Sequence, residues 1–110
     1  MRTKNTKRKG DKYEHHVAFK MRFHGFFMIN VRGKSGDFGG DITARCFPFG
    51  SIVVQCKSYK GKVGVQAVQE VVAARMYYRT SRAAVATNST FTKNARELAR
   101  RCGVELWERY

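Results

Sequence analysis

The chain is poor in acids, cysteine and proline and has no long apolar run, and each scarcity removes a class of answer. Eight acids stand against 22 lysines and arginines, a formal charge of +14, which leaves a polyanion, nucleic acid first, as the expected partner. Cys46, Cys56 and Cys102 are odd in number, far apart and form no CxxC pair. Neither a disulfide framework nor a zinc site is expected from them, and the thiols point to a reducing, cytoplasmic compartment. No apolar segment follows the basic start and none reaches the length of a membrane span, so no secretory signal and no membrane partner are expected. Gly33-Lys34-Ser35 lacks the upstream glycine of a phosphate loop, Met28 standing in its place, and a strand-like segment follows instead of a helix. His15 and His16 are helix neighbours that diverge, and His24 sits at the far end, so no metal-binding trio forms. No nucleophile elbow is present either, and covalent hydrolysis has no support.

What remains is enough to fold. In 110 residues with 43 % hydrophobic content, one domain is expected, with residues 1–12 as a mobile basic arm and 13–110 as the folded unit. Tyr13, Val17 and Met21, with Phe23 nearby, have helical spacing over 13–24, and Gly25 suits the stop. Residues 26–32 are rich enough in aromatic and β-branched side chains for a strand, and the glycine-rich loop 33–40 follows. Residues 41–57 read as a β-hairpin turning near Pro48, the sole proline. A helix over 65–79 with Val65, Val68, Val72 and Met76 as its apolar stripe, a strand at 83–87, an arginine-rich helix at 92–102 ended by Gly103, and a strand at 104–107 complete the chain. The order α-β-β-β-α-β-α-β implies an α/β fold, a mixed sheet flanked by helices.

A hairpin brings Asp41, at the start of one strand, close to Gln55, Cys56 and Lys57 at the end of the next. Gln55 and Lys57 share one strand face, roughly 6.6 Å apart, while Cys56 joins Ile52 and Val54 on the other, so the first face is expected to be chemical and the second to be core. Phosphodiester hydrolysis needs a cation on the phosphate, an activated water and neutralisation of growing charge, and carboxylate, amide oxygen and lysine supply these. Magnesium prefers oxygen ligands and keeps several waters, so a further carboxylate would help, and Glu14 is the acid of the first helix. The plainer readings stand beside these. Lys57 is a solvated strand-end lysine, Asp41 a turn cap with Asp37 competing as ligand, and Glu14 one half of a surface ion pair. Tyr77, Tyr78 and Trp107 either stack on unpaired bases or pack in the core, which is commoner.

The segments GDFGGDI (36–42), IVVQCKSYKGKVGVQAVQEV (52–71) and AVATNSTFTKNARELARRCGVELW (84–107) resemble the Mrr-type restriction endonuclease catalytic domains of the PD-(D/E)xK nuclease superfamily. The resemblance spans residues 9–107 and implies a restriction-endonuclease-like core. It also implies a catalytic set of Glu14, Asp41, Gln55 and Lys57, with Glu14, Asp41, Gln55 and the Cys56 backbone carbonyl around the metal. The cofactor implied is Mg2+, with Mn2+ as a substitute. Many superfamily members carry an acid at the position of Gln55, whereas the Mrr-like branch uses glutamine; the neutral amide lowers metal affinity and implies a millimolar-scale magnesium requirement.

The expected activity is metal-dependent DNA endonuclease. Arg2, Lys4, Lys7, Arg8, Lys9, Lys12, Lys34, Ser35, Lys60 and Lys62, together with helix arginines, are the candidate phosphate contacts. If about six phosphates are neutralised, the log–log salt slope of affinity is near −5. The opening KGDKYEHHVAFKMRFHGF (9–26) resembles archaeal-type Holliday-junction resolvases, which implies branched DNA as substrate and a homodimer making paired nicks. An Mrr-like restriction-type or general DNA endonuclease is the alternative. A non-enzymatic nucleic-acid binder explains the charge but not the Asp41, Gln55 and Lys57 constellation.

Overall fold

The alternation of Ile52 and Val54 with Val53 and Gln55 gives one strand two inward faces, and the architecture follows from covering both. The computed structural model describes residues 2–32 and 40–110, with side chains from Lys12 onward. The elements are α1 (Arg2–Met21), β1 (Phe26–Val31), β2 (Ile42–Cys46), β3 (Gly50–Lys57), α2 (Val65–Tyr78), β4 (Arg82–Thr87), α3 (Lys93–Cys102) and β5 (Glu105–Trp107). They form one mixed five-stranded sheet in the order β1-β2-β3-β4-β5. The meander β1-β2-β3 is antiparallel, and the two crossovers through α2 and α3 make β3-β4-β5 parallel. This is the element order and fold class expected from the sequence.

Val53, Ala83 and Val85 pack against Val68, Val71 and Ala74 of α2 and Ala95 and Ala99 of α3. On the opposite face Ile42, Ala44, Ile52 and Val54 pack against Val17 and Met21 of α1. The hairpin turns through residues 47–49 as expected, with a cis Phe47-Pro48 bond. Thr92 caps α3 by accepting from the Ala95 N–H at 3.1 Å, and Gly103 ends that helix with φ 68°.

Three expectations need correcting. The first helix starts at Arg2 and ends at Met21, whereas 13–24 was expected, so the segment read as a mobile arm continues α1. Lysine and arginine are good helix formers and no proline interrupts them, so helix propagates past the last apolar position. On α2 the buried positions are Ala67, Val68, Val71 and Ala74, and Met76 is 75 % exposed. The stripe is rotated because two alanines, scarcely apolar by pattern, let the helix lie close to the sheet. Finally, the Gln55 and Lys57 face of β3 is itself covered by a core, with Val53 fully buried on it. At the outer edge of the sheet, Met28 adopts φ 51° and the β1/β2 register shifts between Phe27 and Asn30, a β-bulge. No helix among the described residues is long and apolar enough to cross a membrane.

Candidate functional site

β2 begins where β3 still has three residues to run, so the last residues of β3 have edge groups that β2 no longer pairs. Asp41 closes this gap. Its N–H donates to the Val54 carbonyl at 2.9 Å, its carbonyl accepts from Arg32 N–H at 2.7 Å, and its Oδ2 accepts from the Cys56 N–H at 2.7 Å. The residue before it must be glycine: a Cβ on Gly40 would lie 2.8 Å from both Tyr78 Cε2 and Val53 Cγ2. Asp41 is thereby fixed in the sheet, in contrast to a turn cap facing solvent.

Glu14, one turn before buried Val17 and Ala18 on α1, reaches the same point and hydrogen-bonds the Asp41 carboxyl. Burial pushes the Asp41 pKa up; the Cys56 N–H, the Glu14 contact and Lys57 pull it back, and Glu70 adds to the rise. Two carboxyls in contact must share a proton or a cation between them. The Cys56 thiol is also raised, first by burial and then by the Asp41 and Glu14 charges, so it stays protonated and is no nucleophile.

From the other face of β3, Gln55 is only 6 % exposed. Its Nε2 donates to Glu70 Oε1 at 2.9 Å, and the same oxygen lies 3.2 Å from Lys57 Nζ. Glu70 Oε2 accepts from Gln66 Nε2 at 3.3 Å. A carboxylate has no donor, so it can only take the NH2 end of the Gln55 amide, and this fixes which way the amide points. The carbonyl end, Gln55 Oε1, is buried without a hydrogen-bond partner. A buried amide oxygen of this kind costs free energy unless a donor or cation reaches it. Carboxylate and amide oxygens are hard donors, so the residues present suit a small divalent cation. Among the described residues no group of three or more His, Cys, Asp or Glu side chains forms a metal cluster.

Glu14, Asp41, Gln55, Cys56 and Lys57 are therefore brought together. Lys60 and Lys62 are exposed in the loop that leaves β3 at the same end, and Lys12 is exposed on α1. Arg2, Lys4, Lys7, Arg8 and Lys9 lie on α1 with side chains outside the described residues, and Lys34, Ser35 and the competing Asp37 also lie outside them. His16 and His24 contact the Tyr110 carbonyl and hydroxyl, at 3.3 and 3.1 Å. Tyr78 and Trp107 pack against the two cores, whereas Tyr77 is half exposed. Sequence reading missed Glu70. The available signal was that α2 is the first crossover after β3, so an acid in its second turn has to pass over the strand end that carries Gln55 and Lys57.

A family model described as restriction endonuclease, Mrr_cat, matches residues 6–110. The curated proteins give no match. Among solved structures, a repair endonuclease from Pyrococcus abyssi superposes with a TM-score of 0.66 at 20 % identity, covering 89 % of this chain and 46 % of that one. EndoMS in a dsDNA complex gives 0.67 at 18 % identity, covering 90 % and 44 %. A protein of unknown function gives 0.68 at 19 % identity, covering 86 % and 55 %. The chain spans about half the length of these structures, and the likeness to them is one of fold.

Proposed function

Since the chain belongs to the restriction endonuclease family of Mrr catalytic domains, we propose that it is a divalent-metal-dependent DNA endonuclease. The observation that carries the reading is the orphaned Gln55 Oε1 in a site where Asp41 and Glu14 already share a contact. Asp41, Glu14, Gln55 Oε1 and the Cys56 carbonyl would hold Mg2+ or Mn2+. Such an ion, when bound, supplies Lewis-acid charge on the scissile phosphate and lowers the pKa of a water.

The chain's own groups do the rest. Asp41 and Glu14 would hold the ion as carboxylates, since a cation between them offsets the charge of the pair. Glu70 keeps the Gln55 amide turned oxygen-first toward the site and tethers the Lys57 ammonium. Lys57 has a side chain 21 % exposed, and it orients the attacking water and neutralises charge growing on the phosphate. Lys60, Lys62 and the basic turns of α1 draw DNA to the cleft by charge, and residues 1–12 act as an appended basic segment of a nuclease unit at 13–110.

Phosphate contacts carry no sequence information, so DNA shape is the substrate feature we favour, with a four-way junction cut by a homodimer. Cleavage of linear duplex by a restriction-type or general nuclease is the alternative, and the ratio of cutting on junction and linear duplex separates them. The deciding experiment uses Asp41→Ala and Lys57→Ala with magnesium. Both variants are expected to bind DNA and lose cutting; wild-type cleavage in both would sink the assignment and leave a cationic DNA binder.

A further inference from the structure

The sheet face that carries Gln55 and Lys57 extends, beyond Asp41, into a second concave surface. Thr43 and Arg45 follow Asp41 at two-residue steps on β2, paired with Val53 and Ser51 of β3. Together with Asn30 and Arg32 beside β2 and Tyr78 and Arg79 at the end of α2, they line a groove of about 310 Å³. Three of these six residues are arginines, and among the described residues no acid lines the groove. Arg45 and Arg79 are exposed, and among the described residues no carboxylate pairs with either. Arg32 is already oriented: its Nε donates to Thr43 Oγ1 at 2.9 Å and its guanidinium lies 5.0 Å from the centre of the Tyr78 ring.

Converging guanidinium groups repel one another, and an anion in the groove relieves that repulsion while accepting their hydrogen bonds. The groove lies beside the site: Tyr78, one of its walls, packs on Gly40 immediately before Asp41. Four residues of strand separate Asp41 from Arg45, about 13 to 14 Å, or roughly four axial charge spacings of one DNA strand.

We propose that this groove binds the backbone of a DNA strand a few nucleotides from the bond to be cut, with Arg45 and Arg79 as its principal phosphate ligands and Asn30 and Arg32 completing the contact. The proposal rests on the nuclease reading and adds to it a binding site remote from the metal ligands.

The test is the full chain carrying Arg45→Gln and Arg79→Asn; asparagine is chosen because Arg79 has φ 56°, which asparagine tolerates better than most residues. Binding of a fluorescein-labelled duplex is measured in metal-free buffer across a salt series, with the melting midpoint confirming the fold. Losing two phosphate contacts weakens binding on the order of fifty-fold at 0.1 M salt and makes the log–log slope shallower by about 1.8. The single variant Arg45→Gln, expected to make the slope shallower by about 0.9, keeps the test decisive if the double variant is unstable, and the double lysine variant, Arg45→Lys with Arg79→Lys, restores the slope. Unchanged affinity and slope in the Gln/Asn variant, with wild type binding and cutting normally, overturns the groove alone. A wild type that binds neither the duplex nor a four-way junction overturns the nuclease reading beneath it.

Discussion

Replacing Glu70 separates the positioning of Gln55 from the stability of the fold. In Glu70→Ala the Gln55 Nε2, on a side chain 6 % exposed, loses its acceptor. A buried donor left unpaired costs about 1 to 3 kcal/mol. The lost pair with Lys57 adds only about 0 to 1 kcal/mol, because both partners are partly wet. A loss of about 2 kcal/mol lowers the melting midpoint of a domain this size by roughly 8 °C. Glu70→Gln behaves differently. Its amide oxygen still accepts from Gln55, so the midpoint stays close to wild type, but its amide can also donate, and the reason for Gln55 to present oxygen to the site is gone. If that preference amounts to about 1 kcal/mol, divalent-ion affinity falls roughly fivefold. Calorimetric titration with Mn2+ alongside thermal melts reads both quantities without relying on cleavage. Wild-type Mn2+ affinity in Glu70→Gln, or an unshifted midpoint in Glu70→Ala, would refute the argument.

Other expectations follow from the same geometry. Because burial raises the Asp41 pKa from the ordinary 3.8, the folded state holds that proton more tightly than the unfolded chain. The stabilising contribution is full below 3.8 and is lost as pH rises through the folded value, so Asp41→Asn should melt higher than wild type at pH 7 and lose that advantage on acidification, while cutting nothing. Added Mg2+ at ten times its Kd should stabilise wild type by about 1.4 kcal/mol and Asp41→Asn by much less. Gly40→Ala forces a Cβ to 2.8 Å from Val53 and Tyr78. An overpacking cost of about 1 to 3 kcal/mol is expected from it in chemical melts. Arg82 holds the Glu105 carboxyl below its ordinary 4.5, so that pair contributes above pH 4.5 and fades below it. Trp107 Nε1 donates to Glu105 at 3.2 Å, and its fluorescence should report the titration and lose that response in Glu105→Gln.

The parts of the molecule legible in its sequence are those decided locally. Hairpin alternation from Ile42 to Lys57 placed Asp41 beside Cys56, and Thr92 and Gly103 bounded α3 through cap chemistry. The parts that were hidden depend on how one element lies on another. Glu70 looks like an ordinary helix acid until the packing of Val68 and Val71 against Val53 turns it over Gln55 and Lys57. Arg45 and Arg79 are 34 positions apart and share a groove only because the crossover through α2 returns the chain beside β2. Met76 misled because apolar spacing counts size and ignores alanine, and alanine made the close contact.

The bulge at Met28 has a consequence for the behaviour of the protein at high concentration. β1 is an outermost strand, and Phe26 to Ile29 would make a sticky template for the same segment of another molecule if its free N–H and C=O groups lay in one straight row. The left-handed residue bends that row and twists the strand away, so stacking of copies into fibrous sheets loses its starting surface. A chain carrying this many uncompensated positive charges is already kept apart by repulsion in dilute salt; the kink protects it when nucleic acid or salt has screened them.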